Sequence, residues 1–210
     1  MTEKQAEKIK LKIKKIKSEL SADKRRWGGF YDDSRGLRYL PPQYYIKLQD
    51  WSGGLRYLNW FHKNFPDDAG FPDFLFELAI ILLKSGKIKQ AEQMIFRSFC
   101  SNTYILDKFF DKALIPIEKY ENSNIDIPEY LVDFKYRSNN ANLSDFSCWL
   151  EEFVNSEKFK NGSQKFIEIQ KLLKKEEDRE LRGILLNQLR ELKKNFSRIY
   201  CSLSKENDWL

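Results

Sequence analysis

Residues 72–100, PDFLFELAIILLKSGKIKQAEQMIFRSFC, decide the fold of this chain. Pro72 suits the first turn of a helix, where its missing N–H would have no partner anyway. Ser85-Gly86 breaks the helix, with Gly86 as its C-terminal stop. Lys87 begins a return helix that sets Ala91, Ile95 and Ser98 on one face. Across residues 74–83 the only charge is Glu77, and apolar side chains point in every direction around the axis. A helix of that kind has to be buried by the rest of the chain. The run is about half the ~20 residues needed to cross a bilayer, so it predicts a core helix.

Composition supports a helical protein with a substantial core. Of 210 residues, 41% are hydrophobic and 15% aromatic, which argues against global disorder. Only 9 Gly and 6 Pro serve the whole length, too few turn residues for a sandwich or barrel of short strands. The net charge of +6 is unevenly placed: residues 1–28 hold ten Lys/Arg against four acids, and the remainder is neutral with 27 of each. The sequence pI near 9.0 therefore describes an N-terminal arm, which weakens any nucleic-acid reading of the whole chain. Cys100, Cys148 and Cys201 are odd in number and widely spaced, and read as reduced, mostly buried thiols. The N-terminus has no unbroken apolar stretch and no small-residue cleavage site, so a cytoplasmic location is expected, without membrane contact.

Working outward, residues 3–20 predict a helix whose Ala6, Ile9, Ile13, Ile16 and Leu20 form one stripe opposite a lysine face. The stripe is short for a free-standing coiled coil and is expected to dock on the core. Residues 21–40 read as the least regular part. Lys24-Arg25-Arg26-Trp27, then Gly28-Gly29-Phe30-Tyr31, mixes cations with aromatics, and Arg35 and Arg38 can join the same basic surface. Such a mix can stack on bases or clamp phosphates. The favoured expectation is instead that Trp27 and Phe30 plug the core while the cations stay wet. Pro41-Pro42 starts a short helix to Gln49, Ser52 is placed as the next N-cap, and residues 53–65 form a helix stopped by Pro66.

Beyond residue 100, Asn102 is placed as a cap, and residues 103–114 and 128–136 predict two further helices. Residues 138–142, SNNAN, read as an exposed linker. Ser144 caps a helix to residue 156, and Asn161-Gly162-Ser163 reads as a turn and cap. From 164 to about 202 the chain predicts helix, with Leu181, Leu185, Leu189, Leu192, Phe196 and Ile199 in one stripe. Residues 174–180 are either a bend or a solvated face.

Leu78, Ala79, Leu82, Gly86, Ala91 and Ile95 fall where a tetratricopeptide repeat places its leucine, small, large, turn-glycine, alanine and large apolar positions. Gly54, Leu58, Phe61 and Pro66 resemble the second helix of a preceding unit. The offset from Gly54 to Ala91 is 37 residues, near the ~34-residue period of that family. The downstream unit departs from the pattern at Leu75 and Thr103, and the upstream unit at Pro41 and Pro42. The stretch GLRYLPPQYYIKLQDWSGGLRYLNWFHKNFPDD also resembles uncharacterised bacterial repeat proteins. The expected fold is thus all-α: a short tetratricopeptide-like helix-pair array over residues 21–137, an N-terminal basic amphipathic helix over 1–20, and a C-terminal helical bundle over 143–210.

The resemblance implies that one side of the helix beginning at Pro72 faces a groove. That side carries Asp73, Phe76, Glu77, Ile80 and Leu83. Leaving Phe76, Ile80 and Leu83 in water would forgo roughly 1.5–3 kcal/mol for each side chain. The N-terminal stripe or the C-terminal helices are expected to cover them. The lysine and asparagine residues that clamp a peptide carboxylate in such grooves are absent from these positions, which disfavours a chaperone-tail receptor.

Chemistry is sparse. The single histidine, His62, falls among aromatics on a helix and reads as a surface or packing residue. No phosphate-loop, dinucleotide, nucleophile-elbow or zinc-protease motif occurs, and no cofactor or metal is expected. Asp32-Asp33 and Asp67-Asp68 read as backbone-capping pairs. The leading expectation is a non-catalytic protein–protein interaction module, an adaptor or, by analogy, an immunity-type protein. Its candidate partner-binding residues are Lys24, Arg25, Arg26, Trp27, Arg35 and Arg38. The alternatives are nucleic-acid or polyanion binding through the same segment, 24–38, and a hydrolase with an unrecognised carboxylate site.

Overall fold

A computed structural model describes residues 1–196. The expected helix beyond that point, with Ile199 and Cys201, lies outside the described residues. The architecture is all-α, with no strand among the described residues. The helices are α1 (Glu3–Arg26), α2 (Pro41–Leu48), α3 (Trp51–Asn64), α4 (Pro72–Lys84), α5 (Ile88–Ser101), α6 (Ile105–Phe109), α7 (Ser144–Asn155), α8 (Glu157–Lys175) and α9 (Arg179–Asn195).

Helix α4 is the centre. Ten of its residues are buried, from Pro72 to Leu82, as its all-round apolar surface requires. It packs on α2, α3, α5 and α7, while α1 lies on α2 and the α8–α9 pair covers α5. Gly86, at φ +71°, closes α4 in the left-handed conformation that glycine adopts freely. The buried Ser98 hydroxyl of α5 donates to the Pro72 carbonyl at 2.7 Å and ties the start of α4 to its partner.

The face of α4 bearing Phe76 and Ile80 is covered by the chain itself, as expected, and both residues are fully buried. One of the expected C-terminal helices, α7, does part of the covering, and α6 with the loop after it does the rest. Phe76 meets Phe109 of α6, Phe134 of the following loop and Phe146 of α7, with ring centroids 5.1, 5.2 and 5.4 Å away. The stripe of α1 buries Ile13, Ile16 and Leu20, but against α2 and the short turn at Leu37–Tyr39 rather than in that groove.

Several expected boundaries move, each for a physical reason. Helix α1 continues past residue 20 to Arg26, because no breaker occurs before Gly28 and Lys24, Arg25 and Arg26 complement the helix C-terminus. The N-cap of α3 is Asp50, whose carboxylate accepts from the Gly53 N–H at 2.8 Å, rather than Ser52. The helices expected over 103–114 and 128–136 shrink to α6 and a 3-10 turn at Pro128–Asp133. Asp111, at φ +57°, turns the chain out of the helical path. The expected linker at 138–142 is pinned by the Ser138 N–H on the Phe109 carbonyl at 2.8 Å.

Asn161-Gly162-Ser163 is helix interior in α8, not a turn, and the cap is Ser156. A side chain at Gly162 would come within 2.8 Å of the Phe196 ring and 3.1 Å of Phe96. The glycine is there for close approach. The charged stretch at 174–180 is a genuine break, and Asp178 caps α9 by accepting from Leu181 N–H.

Candidate functional site

The segment 24–38 divides into an outer tip and an inner anchor. At the tip, Arg25 and Arg26 end α1 with exposed side chains, and no ion pair engages either among the described residues. Trp27 is 51% exposed and Phe30 78% exposed, so neither plugs the core as expected. Gly28 and Gly29 have φ +61° and +103° and open space around them, which folds the chain into a projecting turn. The Gly29 N–H donates to the Lys24 carbonyl at 2.8 Å and fixes that turn on the helix end.

The aromatic that does pack inward is Tyr31, against Trp60 and Phe65. Lys24 joins it: its Nζ donates to Asn64 Oδ1 at 3.0 Å and lies 5.1 Å from the Tyr31 ring centre. Arg35 pairs with Glu19 of α1 at 2.9 Å on the open surface, where such pairs contribute little.

Arg38 is committed inside the fold. Its guanidinium donates to Asp68 at 2.8 Å and Asp33 at 3.2 Å, and stacks over Tyr39 with 4.4 Å to the ring centre. Tyr39 donates to Asp68 at 2.7 Å. Burial would raise the Asp68 carboxyl, but hydrogen bonds from Tyr39, Arg38 and the Gly70 N–H outweigh it and hold the group below the usual carboxylate range. Burial, with the hydrogen bond to Asp68, pushes the Tyr39 hydroxyl up to about 12. The two acidic pairs of the sequence thus serve one network: Asp33 and Asp68 are its carboxylates. Asp33 also accepts the Leu37 and Arg38 backbone N–H groups at 2.8 Å, as a capping aspartate should. Arg38→Ala is expected to lower stability by about 3 kcal/mol, because it strands Asp33 and Asp68 in a partly buried site. Arg25→Ala/Arg26→Ala should change it by less than about 0.5 kcal/mol. Urea unfolding of the two variants separates the structural cation from the surface ones.

An acidic cleft of about 330 Å³ that no sequence pattern announces lies between α4 and the 34–43 segment, lined by Asp73, Glu77, Arg35, Gln43 and Tyr130. It lies at one end of the α4 face whose middle is filled by Phe134 and Phe146. Tyr130 donates to Asp73 at 2.9 Å and Tyr136 to Glu77 at 2.8 Å. Burial raises the Glu77 carboxyl well above its usual range; the Tyr136 hydroxyl opposes this and Asp73 adds to it. A carboxyl raised in this way beside a second carboxylate is an arrangement on which an acid–base reaction could draw. Both groups are already held by tyrosines, as a structural role for the buried Glu77 and the half-buried Asp73 requires. Its trace in the sequence is a single residue, Glu77, the lone charge in residues 74–83.

His62 is exposed near the end of α3. No group of three or more metal-ligating side chains gathers among the described residues, and no described helix is long and apolar enough to cross a membrane. Comparison of the chain with protein families, with curated proteins and with solved structures finds no match.

Proposed function

We propose that this protein is a non-catalytic interaction module of helix-pair-repeat type, acting in the cytoplasm as an adaptor or immunity-type protein, and that it meets its partner protein through the end of α1. The observation that carries this reading is the exposure of Trp27 and Phe30 on a hydrogen-bonded turn beside Arg25 and Arg26. Tryptophan and arginine are the residues most enriched at binding hot spots, and an exposed aromatic pair has no folding role to explain it. The lysines along the outer side of α1, Lys4, Lys8 and Lys15 among them, extend the surface with positive charge. The partner surface that fits is acidic with an apolar pocket. Polyanion binding is the weaker reading, because Lys24, Arg35 and Arg38 already have partners and leave two arginines at the tip.

A photo-reactive residue in place of Phe30, used in the native host, tests this. The expected result is a cross-link to an acidic protein whose affinity falls about 30-fold in Trp27→Ser/Phe30→Ser, with the unfolding transition unchanged. A salt-sensitive shift of single-stranded RNA lost in Arg25→Ala/Arg26→Ala would put polyanion binding in its place. Neither outcome would leave the tip without a binding role.

A further inference from the structure

A second cavity, of about 540 Å³, lies between α5, the 120–126 loop, α8 and α9. Three cations line it: Arg97, Arg182 and Lys193. None has a carboxylate partner among the described residues. Arg97 reaches only the Ala69 carbonyl at 3.1 Å and the Asp68 carbonyl at 3.5 Å. Arg182 donates one nitrogen to the Leu173 and Glu176 carbonyls, both at 2.7 Å, and stacks 5.1 Å from the Tyr120 ring centre. Lys193 lies 5.4 Å from the Phe166 ring centre.

The local groups that might balance this charge are occupied or neutral. Asp126, the one carboxylate in the lining, is turned to the loop backbone and accepts from Asn122 and Ser123 N–H at 2.8 and 3.2 Å. Burial pushes the Cys100 thiol up to about 12, so it stays uncharged. Burial lowers Arg97, and the opposing influence of the Asp68 charge is the smaller of the two. Two other partly buried cations have carboxylate partners: Arg38 has two aspartates, and Lys84 has Asp145 at 2.5 Å. Cations gathered around one cavity without carboxylates are better explained by a ligand than by folding. The floor is apolar, made by Leu75, Leu173, Leu186 and Leu189. The buried Gln170 side-chain oxygen has no hydrogen-bond partner.

We infer that the cavity between α5, α8 and α9 is a binding site for a small organic anion, a carboxylate or phosphate on an apolar body, with Arg97, Arg182 and Lys193 around the anionic head and the leucines against the body. The inference is independent of the tip and would stand if the proposed function failed.

Calorimetry on the full chain tests it with decanoate, decyl phosphate, decanol and inorganic phosphate as probes. Decanoate or decyl phosphate should bind at one site, at least tenfold more tightly than decanol. Lys193→Gln and Arg97→Met should each weaken the anion at least tenfold and leave decanol unaffected. Circular dichroism melting identifies a variant that fails to fold, and Lys193→Gln, on the outer turn of α9, gives a second reading if Arg97→Met does. Three outcomes overturn the inference: no binding of either anion, equal binding of decanoate and decanol, or anion affinity unchanged in both folded variants. Binding of inorganic phosphate with the same affinity as decyl phosphate would overturn the apolar-body part.

Discussion

Ile80→Asp is expected to abolish cooperative folding. Ile80 is fully buried on the α4 face that the segment from α6 to α7 covers, and a carboxylate there would have no cation within the apolar cluster. An unpaired charge in such a site costs several kcal/mol, a large share of the ~5–15 kcal/mol that holds a domain together. The variant should lose its melting transition in circular dichroism and aggregate. Phe76→Ala supplies the graded version. Its ring packs on Phe109, Phe134, Tyr136 and Phe146, so truncation should remove about 3–5 kcal/mol and lower the urea midpoint without changing the oligomeric state. A monomeric Ile80→Asp protein melting like the parent would show instead that this face is open to solvent or to a partner.

That pair of variants marks where the sequence was legible. Helices α2 to α5 could be placed within a residue or two because Pro41, Pro66, Pro72 and Gly86 punctuate them, and because α4 has no polar side. The segment from 103 to 136 could not, since its apolar residues have helical spacing but are used singly as plugs into α4. Tertiary anchors decide its path: Asn102 donates to the Ile125 and Ile127 carbonyls at 2.7 and 2.9 Å, and the Ile117 N–H donates to the Tyr104 hydroxyl at 3.0 Å. Gly162 misled for the same reason. Glycine marks a turn in isolation, but here it admits two aromatic rings against a helix. At the candidate site, local sequence made Arg25, Arg26 and Arg38 look alike. Their difference lies in Asp68, thirty residues away in the chain. Arg97, Arg182 and Lys193 share no motif at all, and only the packing of α5 against α9 brings them to one cavity.

The last large effect concerns Glu77, which is 7% exposed and accepts the Tyr136 hydroxyl. Its pKa is raised in the folded chain, first by burial and further by Asp73, against the lowering by Tyr136, Lys135 and Lys47. An acid raised by folding binds its proton more tightly folded than unfolded. Stability from this group is therefore complete below about pH 4.3 and falls as pH climbs toward the raised folded value. Within that window the slope should approach about −1.4 kcal/mol per pH unit, the limit for one proton. Asp107, also raised by burial, adds to the slope. The difference between the parent and Glu77→Gln isolates the one group, since a glutamine oxygen can still accept from Tyr136 and carries no charge. Urea unfolding from pH 4 to 8 should give curves that meet near pH 4 and separate upward, with Glu77→Gln the more stable protein at pH 8. Parallel curves would mean that Glu77 ionises in place, and that the acidic cleft holds two negative charges rather than one.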